Sequence, residues 1–295
     1  EETHEILEGT CGYDFDLEAV KKKVDEAQYG QSVTFRLEKI EPELDVETLK
    51  AQMFGTKLES RSSYYVNNPK RTENLRLACA ALNGLVLNPG EDFSFNQTLG
   101  KRTAEKGYKP APSYEAGLTV DTLGGGICQV SSTLYNAVLM AELEIVERSP
   151  HSMMVTYVQA SADAAIAGTY KDFKFKNDTD APIYIEGYTT DDKQVVFNIY
   201  GEETRPSNRK IKYVNKVLES TPAVTQLVAD PAQGIGYRIV ESGHNGCKAE
   251  LYKEVYVDGT LESSQRVNKS NYMVSNRMVY YGINGDPGIS ARLQQ

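Results

Sequence analysis

The sequence predicts an α+β protein with a small N-terminal α+β domain, a central α+β domain and an elongated all-β C-terminal module. Apolar residues recur at helical spacing in residues 17–27 and again in residues 127–141, and they alternate at strand spacing in several short segments between these ranges. Beyond Pro206 the chain changes to short, polar, alternating segments. The length of 295 residues and the apolar content of 40% are sufficient for two or three packed domains.

The first predicted domain covers residues 1–58. A helix with one apolar face is expected from Asp16, which can cap it, to Gly30, which lies just beyond its end. Residues 32–39 alternate and predict a half-buried strand, and Asp45 can cap a second helix. From the residues alone, this unit is interpreted as a packing or spacing domain.

The second predicted domain covers residues 59–204. Thr72 is expected to cap a helix whose apolar stripe includes Cys79, which predicts a buried structural thiol. The sequence Asn-Pro-Gly-Glu at residues 88–91 has Pro and Gly where a type II turn requires them.

The third predicted unit, residues 205–295, has few residues that could fill a thick core. Its strongest local signal is Asp258-Gly259, which follows an alternating segment and predicts a hairpin turn. The unit is therefore predicted to be an elongated all-β module, with the residues from Ala291 to Gln295 in a terminal tail.

Charge and hydropathy limit the classes of partner. The 41 acidic and 32 basic residues give a net charge of −9 without the basic excess that binds phosphates, so nucleic acid is not expected as a partner. No window approaches the roughly 20 apolar residues that cross a bilayer. The start, Glu1-Glu2-Thr3-His4, is not a signal peptide, and it suits either a cytosolic protein or the external part of a secreted or anchored one.

The cysteines are Cys11, Cys79, Cys128 and Cys247, and none belongs to a CxxC pair. Four dispersed cysteines are too few for a disulfide scaffold. His244 and Cys247 offer two possible zinc ligands, but the neighbouring sequence supplies no others. No metal or organic cofactor is expected.

Cys128 is the predicted nucleophile. It follows Gly124-Gly125-Gly126 at the start of a predicted helix over residues 127–142. Unpaired N–H groups and the positive end of the helix dipole stabilise a thiolate in a first turn, and they can also hold an oxyanion. For a glycine turn followed by cysteine alone, a buried structural thiol is the simpler interpretation, and a second residue is needed to favour catalysis.

That second residue is His151, which opens a predicted strand over residues 151–158. A cysteine at a helix start and a histidine on a strand form a recurring arrangement for acyl transfer. We predict that Asp172, or alternatively Asp163, orients the imidazole, and we prefer Asp172 because it begins the next strand. Oxyanion and substrate-binding roles are expected for a wider group: Gly125, Gly126, Gln129, Ser131, Arg148 and Asn96.

Residues from about Ser62 to Tyr188 resemble the VanW domain. The resemblance rests on DFSFN at residues 92–96, Gly100, Gly107-Tyr108, GGGICQVSSTLYNAVL at residues 124–139, Glu147-Arg148, Pro150-His151-Ser152 and Phe175-x-Asn177. Residues 1–58 resemble a small peptidoglycan-binding-type domain. Residues from about 219 to 284 resemble a five-glycine-type bacterial surface module, here with Gly243, Gly246, Gly259 and Gly282.

The resemblance implies an extracytoplasmic L,D-transpeptidase of the bacterial cell wall, either in the wall or attached to the membrane. It implies that Cys128 forms a thioester with a donor stem peptide and that the amine of an acceptor stem resolves the thioester. The alternatives are a non-catalytic peptidoglycan-binding protein and a cysteine peptidase or L,D-carboxypeptidase. The terminal modules are then expected to attach the protein to the wall, and residues beyond about 205 to be dispensable for small substrates. Stem-peptide composition, anchoring and oligomeric state stay open.

Overall fold

The computed structural model describes residues 11–40, 46–115, 118–284 and 288. Strands contain 44% of the residues and helices 20%, so the fold is a mixture of both, as predicted, and is rich in strand. The helices are α1 (Leu17–Glu26), α2 (Val46–Phe54), α3 (Pro69–Leu82), α4 (Phe95–Leu99) and α5 (Ile127–Met140). No helix in these ranges is both long and apolar enough to cross a membrane.

The strands form several small sheets. In chain order they are β1 (Gly12–Asp14), β2 (Glu38–Ile40), β3 (Thr56–Tyr64), β4 (Leu85–Leu87), β5 (Asp92–Ser94), β6 (Pro110–Glu115), β7 (Leu118–Leu123), β8 (Glu144–Glu147), β9 (Lys174–Lys176), β10 (Ile183–Thr189), β11 (Gln194–Gly201), β12 (Arg209–Thr221), β13 (Thr225–Gly234), β14 (Arg238–Glu241), β15 (Gly246–Val257), β16 (Thr260–Tyr272) and β17 (Arg277–Asn284).

The central antiparallel sheet has the strand order β3-β11-β10-β4. Helices α3 and α5 pack on this sheet, and their apolar faces meet its inner face in one core. Leu82, Leu134 and Phe197 are fully buried there. Each side chain of this kind stabilises the fold by about 1.5–3 kcal/mol relative to leaving it in water.

Two local predictions in this region have different outcomes. The prediction that Thr72 caps α3 is wrong, because Asn68 caps the helix through a 3.2 Å bond from Arg71 N, with Pro69 at the first helical position. The turn at residues 88–91 is confirmed: Gly90 has φ +79° and Glu91 N donates to Asn88 O at 3.0 Å.

The suggested boundary between residues 58 and 59 falls within a strand. Strand β3 pairs with β11 along its whole length from Thr56 to Tyr64. Helix α2, which precedes it, contacts β10 and β11 and buries Met53. The division of the chain into three domains stays a prediction.

The N-terminal unit is smaller than predicted. Asp16 caps α1 as expected, accepting from Ala19 N at 2.9 Å. The predicted strand at 32–39 is wrong: only residues 38–40 form a strand, β2, which pairs with β1 alone. Among the described residues no larger sheet covers Phe35 and Leu37, which stay 42% and 50% exposed. The predicted cap Asp45 lies outside the described residues.

The C-terminal module consists of two three-stranded sheets, β12-β15-β16 and β13-β17-β14. The hairpin between β15 and β16 turns at Asp258 and Gly259, whose φ angles of +49° and +81° confirm the predicted turn. Its described buried hydrophobic cluster is small and contains Cys247, Ala249 and Tyr272. Met154 and Ala160, from the loop that follows His151, pack against this cluster. The predicted tail from Ala291 lies outside the described residues.

Candidate active site

Helix α5 begins where the glycine turn ends, so Cys128 lies in its first turn. Gly126 is the N-cap with φ +103°, a conformation that residues with a side chain rarely adopt. A Cβ on Gly126 would lie 2.6 Å from Arg71 Nη1, and one on Gly125 would lie 1.9 Å from Ala111 O. The turn therefore needs glycine both for its backbone angles and for close packing.

The Cys128 thiol is half-buried, and its sulfur lies 3.4 Å from Ile166 O. Burial raises the pKa of the thiol. The hydrogen bond and charge of His151, a backbone hydrogen bond with Ile166 and the charge of Arg102 outweigh that effect, and the net pKa lies below its ordinary value. Cys128 therefore carries more thiolate near neutral pH than a free cysteine does.

His151 contacts Cys128, but it does not lie on a strand. Residues 151–158 form a loop, so the strand prediction is wrong. The backbone groups of this loop bind outside any strand ladder: the N–H of His151 donates to Asp163 Oδ2 at 2.7 Å, and Ser152 O accepts from Met273 N at 2.7 Å. The imidazole instead contacts Asp163 through Nδ1 and lowers the pKa of the Cys128 thiol.

The imidazole is held at both nitrogens. Nδ1 lies 2.6 Å from Asp163 Oδ2, which also accepts from the His151 backbone N–H at 2.7 Å, and Nε2 is left for the sulfur and for the Tyr157 hydroxyl at 3.4 Å. Burial lowers the pKa of His151, but the contacts with Asp163 and Cys128 outweigh this and raise the pKa to about 9. The arrangement favours a thiolate–imidazolium pair.

Asp163, and not Asp172, orients the imidazole. Burial raises the pKa of Asp163, while His151 and Arg148 lower it to about 2, so the carboxylate stays ionised. Asp172 accepts from Ser94 Oγ at 2.6 Å and from Asn96 N at 2.9 Å, which stabilises the start of α4. The preference for Asp172 is therefore wrong, because this residue precedes β9 and its carboxylate binds the start of α4.

Arg148 also has a different role from the one expected. Its Nε donates to Asp163 O at 2.6 Å and its Nη2 to Asp163 Oδ1 at 2.8 Å. The side chain is only 5% exposed. Arg148 therefore supports the Asp163 carboxylate through Oδ1, and the expected contact with substrate stays a prediction.

Several expected oxyanion donors are already used in the fold. Gly125 N donates to Thr122 O and Gln129 N to Gly126 O, both at 2.9 Å. The Gln129 side chain donates to Tyr64 O, and Ser131 Oγ donates to Ala164 O. Within the described ranges, the amides of Gly126 and Cys128 have no hydrogen-bond acceptor, so these two are the N–H groups that can receive an oxyanion.

Arg102 is a site residue that the sequence analysis missed. Its charge lowers the pKa of Cys128. Its Nη2 donates to Asn96 Oδ1 at 2.7 Å and its Nη1 to Gly100 O at 3.1 Å, both of them uncharged acceptors. Asn96, which was expected to bind substrate, holds this guanidinium, and Arg102 retains charge for an anionic group near the sulfur.

Tyr157 is a second residue without a sequence signal. Besides its contact with His151, it lines a cleft of about 220 Å³ together with Arg61, Asn136, Gln159 and Tyr213. Among the described residues, no three His, Cys, Asp or Glu side chains cluster closely enough to hold a metal ion.

Comparisons with solved structures and named proteins give partial matches. A structure described as "IgA1 Protease G5 domain structure" covers 26% of this chain and 93% of its own, with 20% identity and a TM-score of 0.20. A second structure, described as "Crystal structure of HP0197-G5", covers 26% of this chain and 100% of its own, with 22% identity and a TM-score of 0.16. Uncharacterized protein YoaR of Bacillus subtilis (strain 168) is 40% identical over 185 residues, covering 61% of this chain and 60% of that protein.

A second relative is the Vancomycin B-type resistance protein VanW of Enterococcus faecalis (strain ATCC 700802 / V583). It is 30% identical over 154 residues, covering 48% of this chain and 55% of that protein. The chain thus matches less than two thirds of either relative. A family model described as "VanW like protein" matches residues 70–200, which include Cys128, His151 and Asp163. The chain therefore carries a VanW-like family domain.

Proposed function

We propose that this chain is a peptidoglycan L,D-transpeptidase that uses Cys128 as nucleophile, His151 as acid and base, and Asp163 as the residue that orients the histidine. The observation that carries the proposal is the imidazole of His151, which is bonded to the ionised Asp163 carboxylate through Nδ1 and lowers the pKa of the Cys128 thiol. This arrangement of three groups suits acyl transfer at a carbonyl carbon.

In the first half of the reaction, the Cys128 thiolate attacks the carbonyl carbon of the third residue of a donor stem peptide. The amides of Gly126 and Cys128 receive the oxyanion. The bond to the terminal D-alanine breaks, and the imidazolium of His151 transfers its proton to the leaving nitrogen. The products are a thioester on Cys128, neutral His151 and free D-alanine.

In the second half, the amine of the third residue of an acceptor stem attacks the thioester. Neutral His151 takes the proton that this amine loses, the carbon–sulfur bond breaks and the thiolate re-forms. The result is a cross-link and the starting thiolate–imidazolium pair. Water in place of the amine makes the same site an L,D-carboxypeptidase.

Arg102 supports recognition of a donor that ends in a carboxylate. The carboxylate of the leaving D-alanine lies one residue beyond the bond that breaks, so it must come close to Cys128. Arg102 acts on that cysteine electrostatically and is held by two uncharged acceptors. We propose that it pairs with this carboxylate, the role that the sequence analysis assigned to Arg148.

The partners that follow from this function are donor and acceptor stem peptides, outside the cytoplasm. The vancomycin-resistance name of one relative supports a role in the bacterial cell wall. The three predicted units, residues 1–58, 59–204 and 205–295, are proposed as a wall-binding domain, a catalytic domain and a wall-binding module. Attachment to the membrane or to the wall is part of the same proposal.

Mass analysis of purified muropeptides tests the reaction. Wild type and Cys79→Ala are expected to release D-alanine and to form cross-linked dimers, whereas Cys128→Ala does neither. Release of D-alanine without dimers identifies a carboxypeptidase. If wild type leaves every muropeptide unchanged while the chain still binds sacculi, the transpeptidase proposal is wrong and a non-catalytic peptidoglycan-binding protein replaces it.

A further inference from the structure

Strand β16 of the C-terminal module contacts the loop that carries Asp163. Asn268, Ser270 and Tyr272 alternate along this strand, so their side chains lie on one face. All three reach Ser161: Tyr272 Oη accepts from its N–H at 2.6 Å, Ser270 Oγ lies 2.8 Å from its Oγ, and Asn268 Nδ2 donates to its carbonyl at 3.1 Å. The N–H, the hydroxyl and the carbonyl of Ser161 are thus all bound by one strand.

Ser161 needs this support because its backbone is strained. It is fully buried and has φ +68°, in the left-handed region that a residue with a Cβ rarely adopts. The contacts from β16 hold this conformation, which directs the chain from residue 161 back to Asp163 beneath the imidazole.

The same strand contacts the carboxylate itself. The Tyr272 hydroxyl donates to Asp163 Oδ1 at 2.6 Å, the oxygen that also accepts from Arg148 Nη2 at 2.8 Å. The other oxygen, Oδ2, accepts from the backbone N–H of His151 and contacts Nδ1 of its ring. With two partners on each oxygen, the plane of the carboxylate is fixed relative to the imidazole.

Arg148 links the two sets of contacts. Its Nη1 donates to Ser270 Oγ at 3.0 Å, while its Nη2 and Nε bind Asp163. Strand β16 therefore positions Asp163 both directly and through Arg148. Buried networks of this kind are rigid only when every member has its partner.

We propose that strand β16 of the C-terminal module completes the catalytic centre, and that Tyr272 is a positioning residue that sets the orientation of Asp163 and, through it, of His151. This inference rests on the proposed function of Cys128 and His151. It replaces the expectation that residues beyond about 205 serve only for attachment, because part of the support for the catalytic carboxylate comes from those residues.

The pH dependence of Cys128 alkylation by iodoacetamide tests the proposal on the full chain without any substrate. Tyr272→Phe removes the hydroxyl and keeps the ring. Without that donor the carboxylate rotates, the imidazolium is held less firmly and the thiolate loses part of its counter-charge. We expect the apparent pKa of Cys128 to rise measurably and its alkylation rate at pH 7 to fall about tenfold, the usual effect of losing a hydrogen bond to a charged group.

Tyr256→Phe is the matched control. Its hydroxyl also donates to a carboxylate of the same module, Glu254 Oε2 at 2.7 Å, and it makes no contact with the loop of Asp163. The alkylation profile of this variant is expected to match wild type. Asp163→Asn serves as the positive control, and its thiol pKa should rise at least as far as that of Tyr272→Phe.

Two failures are distinguishable. If Asp163→Asn shifts the profile and a folded Tyr272→Phe does not, the positioning role is wrong and the proposed function stands. If wild-type Cys128 reacts no faster than Cys79, the proposed function itself fails. Should Tyr272→Phe not fold, Ser270→Ala decides by the same measurement, because it removes the bonds to Arg148 and Ser161: a raised pKa supports the proposal and an unchanged profile overturns it.

Discussion

Two helices pack on the same sheet and each carries a cysteine, but the two thiols have opposite properties. Cys79 lies in the last turns of α3, is 1% exposed and has a pKa that burial raises to about 12. Cys128 lies in the first turn of α5, is half-buried and has a lowered pKa. Burial raises the pKa of both thiols, so burial does not distinguish them.

The difference comes from the neighbours of each sulfur. Cys128 has a hydrogen-bonded imidazole and a nearby guanidinium, whereas burial is the one cause that raises the pKa of Cys79. Cys247 of the C-terminal module resembles Cys79, because burial also raises its pKa. A buried cysteine becomes a nucleophile where cationic partners outweigh desolvation, so a variant that weakens those partners should make Cys128 behave more like Cys79.

The largest effect is expected from Asp163→Asn. The amide cannot balance the imidazolium, so turnover of muropeptides should fall about 10³- to 10⁴-fold, as in other nucleophile–histidine–carboxylate sites. Asp172→Asn is the control. It alters a buried carboxylate at the start of α4 and should keep turnover within about tenfold of wild type. Its free energy of unfolding, measured in urea, should fall by about 1 kcal/mol. Equal losses in the two variants would contradict the assignment of Asp163.

Gly126→Ala changes the helix start without replacing a titratable residue. The new Cβ would meet Arg71 at 2.6 Å in a positive-φ conformation, so the first turn must shift. Displacement by about 1 Å should reduce turnover about 100-fold. Gly84→Ala is the matched control, because Gly84 also has a positive φ, +85°, but a Cβ there would meet no atom within 4 Å. This control should lose about 1 kcal/mol of stability and little activity; similar activities for the two variants would argue against a precise helix start.

The pH profile of kcat/KM should be bell-shaped. Activity rises as Cys128 loses its proton at a pH below that of an ordinary thiol, and it falls as His151 loses its proton near pH 9. At one pH unit above the pKa of His151, activity should be about tenfold below the maximum. In Asp163→Asn the alkaline limb should move to lower pH, because the carboxylate raises the pKa of His151. An unmoved limb would show that another group titrates there.

The smallest effect on activity is expected from Cys79→Ala. This thiol packs in the hydrophobic core, so turnover should stay within about twofold of wild type. The free energy of unfolding should fall by about 1 kcal/mol because packing is lost. Urea unfolding and muropeptide turnover measured on one sample check both parts. A large loss of activity in a stable variant would mean that Cys79 has a chemical role.

Local signals in the sequence predicted the parts of the site that local structure builds. The glycine turn and the helical spacing that follows it put Cys128 in a first turn, and Asp16 and Asp258-Gly259 mark a cap and a hairpin correctly. His151 was predicted on a strand because residues 151–158 have strand-like composition. Composition does not reveal that the backbone N–H of His151 binds the Asp163 carboxylate and not a neighbouring strand.

The remaining site residues come from distant parts of the chain. Arg102 reaches the cysteine from a loop, and Tyr272 reaches Asp163 from a separate sheet, 109 residues later. Asp163 and Asp172 were both candidates because each follows His151 within a short stretch. Their contacts in the folded chain distinguish them, because Asp163 binds the imidazole whereas Asp172 binds the start of α4.

The contacts of β16 with Ser161 also tie the reactivity of the thiol to the C-terminal module. They join residues that are 109 and 111 positions apart, so the loop that carries Asp163 keeps these partners only while β16 lies against it. Local opening of β16 would release Ser161 and the Asp163 carboxylate together. The alkylation rate of Cys128 is therefore expected to report whether a distant part of the chain is docked.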